Sequence, residues 1–394
     1  MKVESPRANF NYPTAYRLGC GRRRELPEAC VEFGMRRPLV ITDRGLASLP
    51  WLGELVGDLA TSGLMPTVFS EVQGNPVEAN VRAGVLAYRE HGADGCVLVG
   101  GGSALDVGKC VALMVGHSGS VFDYEDVGDN WLRVDPSKIA PMIALPTTAG
   151  TGSEVGRASV ITDLRDHTKK IIFHPRMLPP LVIADPELTF GLPAAMTAAV
   201  GIDAFVHSFE AFCAPSYHPM AAGIALEGMR LVKENLVTCY RQPEHAVART
   251  HMMMASTMGA TAFQRGLGLV HAIAHPLGAV VGIHHGLANA ILLPYVMEHN
   301  RPVIEAAMTT LGRHLELPKA GFDGVLEWVL ELRSLLDIPQ TLAAAGIASL
   351  TIDRAPALAA MAKNDAALGS NPKPCTTDEI ESVIRAAFGA SGPQ

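Results

Sequence analysis

The chain is expected to be an α/β protein in two parts, with a mainly parallel sheet in residues 1–190 and helices alone in residues 191–394. Three observations predict this. The 394 residues exceed what one hydrophobic core usually serves, about 250–300 residues. Up to about residue 190, short apolar runs alternate with longer helical patterns. From Pro193 onward the sequence turns to Ala-, Met- and Leu-rich windows with the helical period.

Residues 38–42, 65–69, 95–99, 141–145 and 181–184 are apolar runs without polar alternation, the pattern of strands covered on both faces in a parallel sheet. Helices following Asn75-Pro76 and Gly102-Ser103 supply the alternation. Residues 158–162 and 170–173 flank a charged turn and read as a hairpin, and residues 12–18 read as an N-terminal strand able to pair across a subunit interface. Pro179, Pro180 and Pro186 bracket the last strand and set the boundary near residue 190. Beyond it, residues 220–236, 247–262, 303–315 and 324–336 carry helical periodicity.

A formal net charge of −7, a pI near 6.1 and the absence of basic runs exclude phosphate-backbone binding, so nucleic acid is not an expected partner. The sequence has no 18-residue apolar window, and residues 1–7 lack the charged-then-apolar pattern of a secretory signal. A soluble, cytoplasmic protein without a membrane partner is expected. The seven cysteines are scattered without Cys-x-x-Cys spacing, which indicates neither a disulfide framework nor a thiolate zinc site. They read as small buried hydrophobes.

Two signals carry chemistry. In the first, Val-Leu-Val-Gly-Gly-Gly-Ser at 97–103 runs into Ala-Leu-Asp-Val-Gly-Lys at 104–109, a strand, a glycine turn and a helix start. Gly100, Gly101 and Gly102 let the backbone approach a phosphate, Ser103 is placed to cap the helix, and the helix N-terminus favours an anion. The same run fits a tight structural turn, and it is neither a P-loop nor a G-x-G-x-x-G fingerprint. A second turn, Pro-Thr-Thr-Ala-Gly-Thr-Gly-Ser-Glu at 146–154, puts hydroxyls and amides at the carboxyl edge of the same sheet, where ligands of open α/β sheets bind. Asp43 ends an early strand where an acid accepts a ribose hydroxyl and repels a 2′-phosphate, favouring NAD over NADP, or else simply closes a turn.

The second signal lies in the helical half. If residues 200–212 are helical, Asp203 and His207 share one face at i and i+4, about 6 Å apart. His271 and His275 repeat that spacing, and Pro276 is expected to end or kink their helix before the chain loops through Gly282 to His284 and His285. A single histidine is more often structural than a ligand. A carboxylate and several imidazoles in apolar, glycine-rich sequence are costly to bury unpartnered, however, and one divalent cation such as Fe²⁺ or Zn²⁺ partners several at once. The two signals together imply a metal-assisted, nucleotide-dependent enzyme.

These motifs, with Asp-Pro-Glu-Leu-Thr at 185–189, make the sequence resemble the iron-containing (group III) alcohol dehydrogenases from about Phe10 to Phe388. The resemblance implies a dinucleotide-binding domain followed by a helical metal and substrate domain, an NAD cofactor, one divalent metal with Fe²⁺ favoured, and a homodimer. It places the metal ligands on Asp203, His207, His271 and His285, and His275 near the nicotinamide and the metal. Cofactor-lining positions fall on Asp43, Asn75, Gly101, Gly102, Ser103, Asp106, Thr147, Thr148, Thr151, Lys169 and Leu188. The sequence departs from the family pattern at Val155-Gly156, in the segment 262–268, which is one residue shorter than usual, and at Leu-Gly-Ser-Asn-Pro-Lys, 368–373. All three border the presumed substrate pocket and bear on the substrate rather than the reaction.

The expected activity is hydride transfer between nicotinamide C4 and a metal-bound small alcohol or aldehyde, with His275 in the path of the released proton. A maleylacetate-reductase-like or hydroxyacid dehydrogenase activity is the nearer alternative, and a dehydroquinate-synthase-like lyase the remote one. Arg157 and Arg265 would favour an acidic substrate unless they serve the structure.

Overall fold

The computed structural model describes residues 8–10, 14–166, 168–347 and 350–389. The chain divides into two compact units, residues 1–148 with 152–190, and residues 149–151 with 191–394.

In the first unit the order is β1 (Ala8–Phe10), β2 (Ala15–Leu18), α1 (Leu26–Glu32), β3 (Pro38–Asp43), α2 (Arg44–Ala47), α3 (Pro50–Thr61), β4 (Thr67–Val72), α4 (Glu78–His91), β5 (Gly95–Gly100), α5 (Gly102–Met114), β6 (Met142–Pro146), β7 (Ala158–Asp163), β8 (Thr168–Phe173) and β9 (Leu181–Ala184). Among the described residues, the main sheet runs β1-β2-β9-β6-β5-β3-β4, parallel except for β1, and β7 and β8 form a separate antiparallel hairpin. β5, β6 and β9 are buried along their length, whereas edge strand β4 buries only Phe69 and Val72. That contrast is why the central strands read as unbroken apolar runs. One face of the sheet packs Val40, Val97, Val99, Ile143 and Leu145 against Leu52, Leu55 and Leu59 of α3. α5 lies close over β5 because position 108 is glycine: a Cβ there would stand 2.3 Å from Leu98 Cδ2.

β2 is bounded by β1 on one side and β9 on the other, so both its edges are used within the chain. The expectation that the strand at 12–18 pairs across an interface is thereby corrected. Tyr12 and Pro13 lie outside the described residues.

The second unit contains α6 (Ala194–Cys213), α7 (Pro219–Arg241), α8 (Ala246–Ala262), α9 (Leu269–Val281), α10 (His285–His314), α11 (Phe322–Leu335), α12 (Ala355–Lys363) and α13 (Thr377–Phe388). α9 carries Pro276 inside it and ends at Val281, where Gly282 turns the chain, and the helical window at 303–315 is the end of the 30-residue α10, which passes through Pro294 and Pro302. A proline within a helix forfeits one hydrogen bond and crowds the preceding turn. Burial of Ala290, Ile291, Leu292, Leu293, Val296 and Met297 offsets that cost. No helix among the described residues is long and apolar enough to cross a membrane.

Candidate active site

In the first unit, the parallel register from Pro38↔Gly95 to Gly100↔Pro146 brings the carboxyl ends of β3, β5 and β6 to one edge. β3 has β4 on one side and β5 on the other, so the strand order reverses between β3 and β5, the position at which such sheets bind ligands. Asp43 is the last residue of β3, Gly101, Gly102 and Ser103 follow β5, and Thr147 and Thr148 follow β6. Gly100 takes a left-handed φ of 150°, and Gly101 is extended and serves as the N-cap of α5 without a side-chain cap. Ser103 is therefore inside the first helical turn rather than capping it, because the helix begins two residues earlier than its sequence indicates. A Cβ at Gly101 would stand 3.1 Å from Thr148 Cγ2, and Thr147 N donates to Gly100 O at 3.0 Å, so the two turns are held together. Asn75, beyond β4, has a left-handed φ of 51°, uncommon for a residue with a side chain.

The remaining sequence-derived positions are engaged in the structure to different degrees. Asp43 caps α2 by accepting from Leu46 N at 2.9 Å. Asp106 accepts from Ser153 Oγ at 2.5 Å and from Val160 N at 2.9 Å. Leu188 belongs to the buried core of the sheet. Lys169 pairs with Thr162 in the hairpin, while its neighbour Lys170 ion-pairs with Asp166 at 3.3 Å and Glu125 at 3.6 Å. Thr151 sits in the 149–151 turn, which clusters with the second unit.

The second unit brings the metal-type residues together. Asp203 and His207 lie one turn apart on α6, His271 on α9, and His285 is the first residue of α10. Asp203 Oδ1 stands 3.9 Å from His271 Nε2 and 3.7 Å from His285 Nε2. Candidate ligand atoms of Asp203, His207 and His271 all fall within 4.8 Å of one another. Ligand bonds of about 2.0–2.2 Å around a tetrahedral ion put neighbouring donors about 3.4 Å apart, so this cluster is close to the size an ion needs. α10 reaches α6 because residue 286 is glycine: a Cβ there would lie 2.4 Å from Ala199 O.

Asn289, one turn after His285, directs Nδ2 at three of these atoms, 2.6 Å from Asp203 Oδ1, 3.3 Å from His271 Nε2 and 3.2 Å from His285 Nε2. Its own Oδ1 is buried without a hydrogen-bond partner among the described residues. Electron-rich atoms converging on one amide form a set that a divalent cation satisfies better, and the residues present thus fit a metal.

Two of the rings are oriented from behind. His207 Nδ1 contacts Gly150 O at 3.3 Å, and His271 Nδ1 contacts Glu210 Oε2 at 2.6 Å. Burial pushes His207 down to about 4, which keeps it neutral and ready to coordinate. Burial also pulls His271 down, but the Glu210 hydrogen bond and charge outweigh it and raise the net value. His275, a turn beyond His271, bonds through Nδ1 to Asp365 Oδ2 at 2.8 Å, and its ring stacks on that of His285 with centroids 5.4 Å apart.

A second acidic group, Cys20, Asp185 and Glu187, is of another kind. Asp185 accepts amides of Gly21, Arg23 and Glu187, and the Arg23 guanidinium bridges it to Glu187. A cation is already in place there. The two candidate anion-binding arginines differ in their surroundings. Arg265 donates to Ser216 O at 2.8 Å and Phe212 O at 3.1 Å, and Arg157 lies over the Phe173 ring.

Residues 13–186 match the sequence profile of iron-containing alcohol dehydrogenases, and residues 197–388 match the C-terminal profile of the Fe-containing alcohol dehydrogenase family. The chain belongs to the iron-containing alcohol dehydrogenase family. It is 37% identical over 383 residues to a 4-hydroxybutyrate dehydrogenase of Cupriavidus necator, covering 95% of this chain and 98% of that one. A 1,3-propanediol dehydrogenase of Klebsiella pneumoniae is 32% identical, covering 97% of each chain. Among solved structures, a 1,3-propanediol oxidoreductase matches with a TM-score of 0.87 at 31% identity, covering 95% of this chain and 97% of that one. A sulfoacetaldehyde reductase from Bifidobacterium kashiwanohense in complex with NAD⁺ matches at 0.86 and 26% identity, covering 99% and 100%. The family implied by the sequence motifs is thereby established, and the protein is an oxidoreductase acting on CH–OH groups, a metal-dependent, NAD-linked alcohol dehydrogenase.

Three residues of the site were not singled out in the sequence. Glu210 follows Asp203 and His207 at i+7 on the same helical face, and Asn289 follows His285 at i+4, so spacing offered a signal for both. Asp365 offered none, being 90 residues from His275.

Proposed function

We propose that Asp203, His207, His271 and His285 hold one divalent ion, Fe²⁺ in preference to Zn²⁺, and that this enzyme oxidises small primary alcohols and reduces the matching aldehydes. The observation that carries the reading is the approach of Asp203 Oδ1 and the Nε2 atoms of His271 and His285 within one buried cluster. A bound ion would supply Lewis acidity toward the substrate oxygen, and NAD would supply the hydride acceptor. The turns at Gly101 to Ser103 and Thr147 to Thr148 would offer amides and hydroxyls to the pyrophosphate, and Asp43 would accept a ribose hydroxyl and discriminate against NADP. Asn75, Asp106, Thr151, Lys169 and Leu188 complete the proposed cofactor set. His275, its Nδ1 hydrogen paired with Asp365, would take up the alcohol proton at Nε2 and pass it outward.

The substrate range includes ω-hydroxy acids. The 37% identity to a 4-hydroxybutyrate dehydrogenase favours them, although Arg265 already donates to main-chain carbonyls. The test combines metal analysis of protein purified without chelator with NADH formation from primary alcohols, diols and 4-hydroxybutyrate, before and after stripping and restoring Fe²⁺ or Zn²⁺. About one ion per chain, with activity that disappears on stripping and returns on reloading, supports the reading. Reduction of an oxo acid such as maleylacetate by metal-free protein overturns it.

A further inference from the structure

We infer that Glu210 is a positioning residue of the metal centre, fixing the ring of His271 so that Nε2 is the nitrogen offered to the ion; this rests on the proposed ligand set. The placement begins in the sequence. Asp203, His207 and Glu210 stand at i, i+4 and i+7 of α6 and so share one stripe of the helix. One helix face thus carries two ligands together with the carboxylate that reaches a third ligand on another helix.

Glu210 is only 5% exposed, and a carboxylate so buried is costly unless its oxygens are satisfied. They are. Oε2 contacts His271 Nδ1 at 2.6 Å and accepts from Gly268 N at 3.0 Å, while Oε1 accepts from Val270 N at 2.7 Å. Both amides belong to the start of α9, whose N-terminal dipole further favours the negative charge. Gly268 makes room for this arrangement, since a Cβ there would lie 2.9 Å from Glu210 Oε1.

The consequence for His271 is chemical. With Nδ1–H donated to a carboxylate, the second nitrogen is the lone-pair nitrogen, and it faces Asp203 Oδ1 at 3.9 Å. A carboxylate behind an imidazole also makes it a stronger donor than a neutral partner would, and loss of such partners typically weakens metal binding 10- to 100-fold. His207 shows the contrast, being held by a backbone carbonyl at the longer distance of 3.3 Å. A cap for α9 would require only the two amide contacts; the contact to His271 is the shortest of the three and has no role in capping.

The experiment titrates metal-free protein with Co²⁺ in competition with a chromophoric chelator and records the visible d–d bands. It compares wild type, Glu210→Gln and Asp203→Ala, and measures the melting temperature of each with and without metal. Glu210→Gln keeps the shape but replaces one oxygen with a donor in a place where every neighbour is a donor. Co²⁺ affinity is expected to fall 10- to 100-fold and the bands to shift, with metal-free melting close to wild type. Glu210→Asp, which keeps the charge but falls short of His271, should lie between the two and serves if the glutamine variant does not fold. Wild-type affinity and bands in both Glu210 variants would overturn the inference, as would a fall in metal-free melting as large as that of the metal-loaded protein. Wild-type Co²⁺ binding by Asp203→Ala would instead sink the ligand set itself.

Discussion

Lys109 closes the glycine-rich motif, yet its ammonium lies inside the first unit, fully buried, contacting Ser153 O at 3.0 Å, Gly156 O at 3.5 Å, Ala158 O, and Asp106 Oδ1 at 3.3 Å. It ties α5 to the segment that leads from the threonine-rich turn into β7. Lys109→Met should therefore act on stability first. Removing one partner of a buried ion pair costs about 3–5 kcal/mol. The lower end applies here, because Asp106 keeps its bonds to Ser153 and Val160 and its side chain is 14% exposed. For a unit of this size, a loss of about 3 kcal/mol lowers the melting temperature by roughly 6–12 °C. Calorimetry on the metal-loaded protein, with NADH affinity measured by fluorescence, is the assay. In the double variant Lys109→Met with Asp106→Asn, the losses should fall short of additivity by about 0.5–3 kcal/mol. A melting point within about 2 °C of wild type, together with a large drop in NADH affinity, would refute the reasoning and make Lys109 a cofactor-binding residue.

Other outcomes follow from the same geometry. Asp203→Ala and His285→Ala should each retain far less than one metal per chain by atomic emission, since each removes a donor from the cluster around Asn289. His275→Ala should slow turnover with metal content unchanged; loss of metal in that variant would make His275 a ligand instead. Asp43→Ala should cost about 1 kcal/mol through the lost cap of α2 and should raise kcat/KM for NADP relative to NAD; an unchanged ratio would leave Asp43 as a turn residue.

Local periodicity made much of this molecule legible. The interior strands of a parallel sheet are buried on both faces, so β3, β5, β6 and β9 appear in the sequence as unbroken apolar runs, and the one-turn spacing of Asp203 and His207 is visible without a structure. Proline is a poor guide to a helix end where tertiary burial outweighs its local cost: Pro276 lies inside α9, as Pro294 and Pro302 lie inside α10. Ser103 misled because an extended glycine can begin a helix without a capping side chain.

What remained hidden was the second partner of each polar group. Lys109 and Ser153 are 44 residues apart, Glu210 and His271 are 61 apart, and His275 and Asp365 are 90 apart. No period connects such pairs. A buried ionisable residue must be satisfied, so a sequence that places Glu210 one helical face from two metal ligands in an apolar segment already demands a donor for it. The demand can be read from the sequence, but the fold decides that the donors are His271 and the first amides of α9.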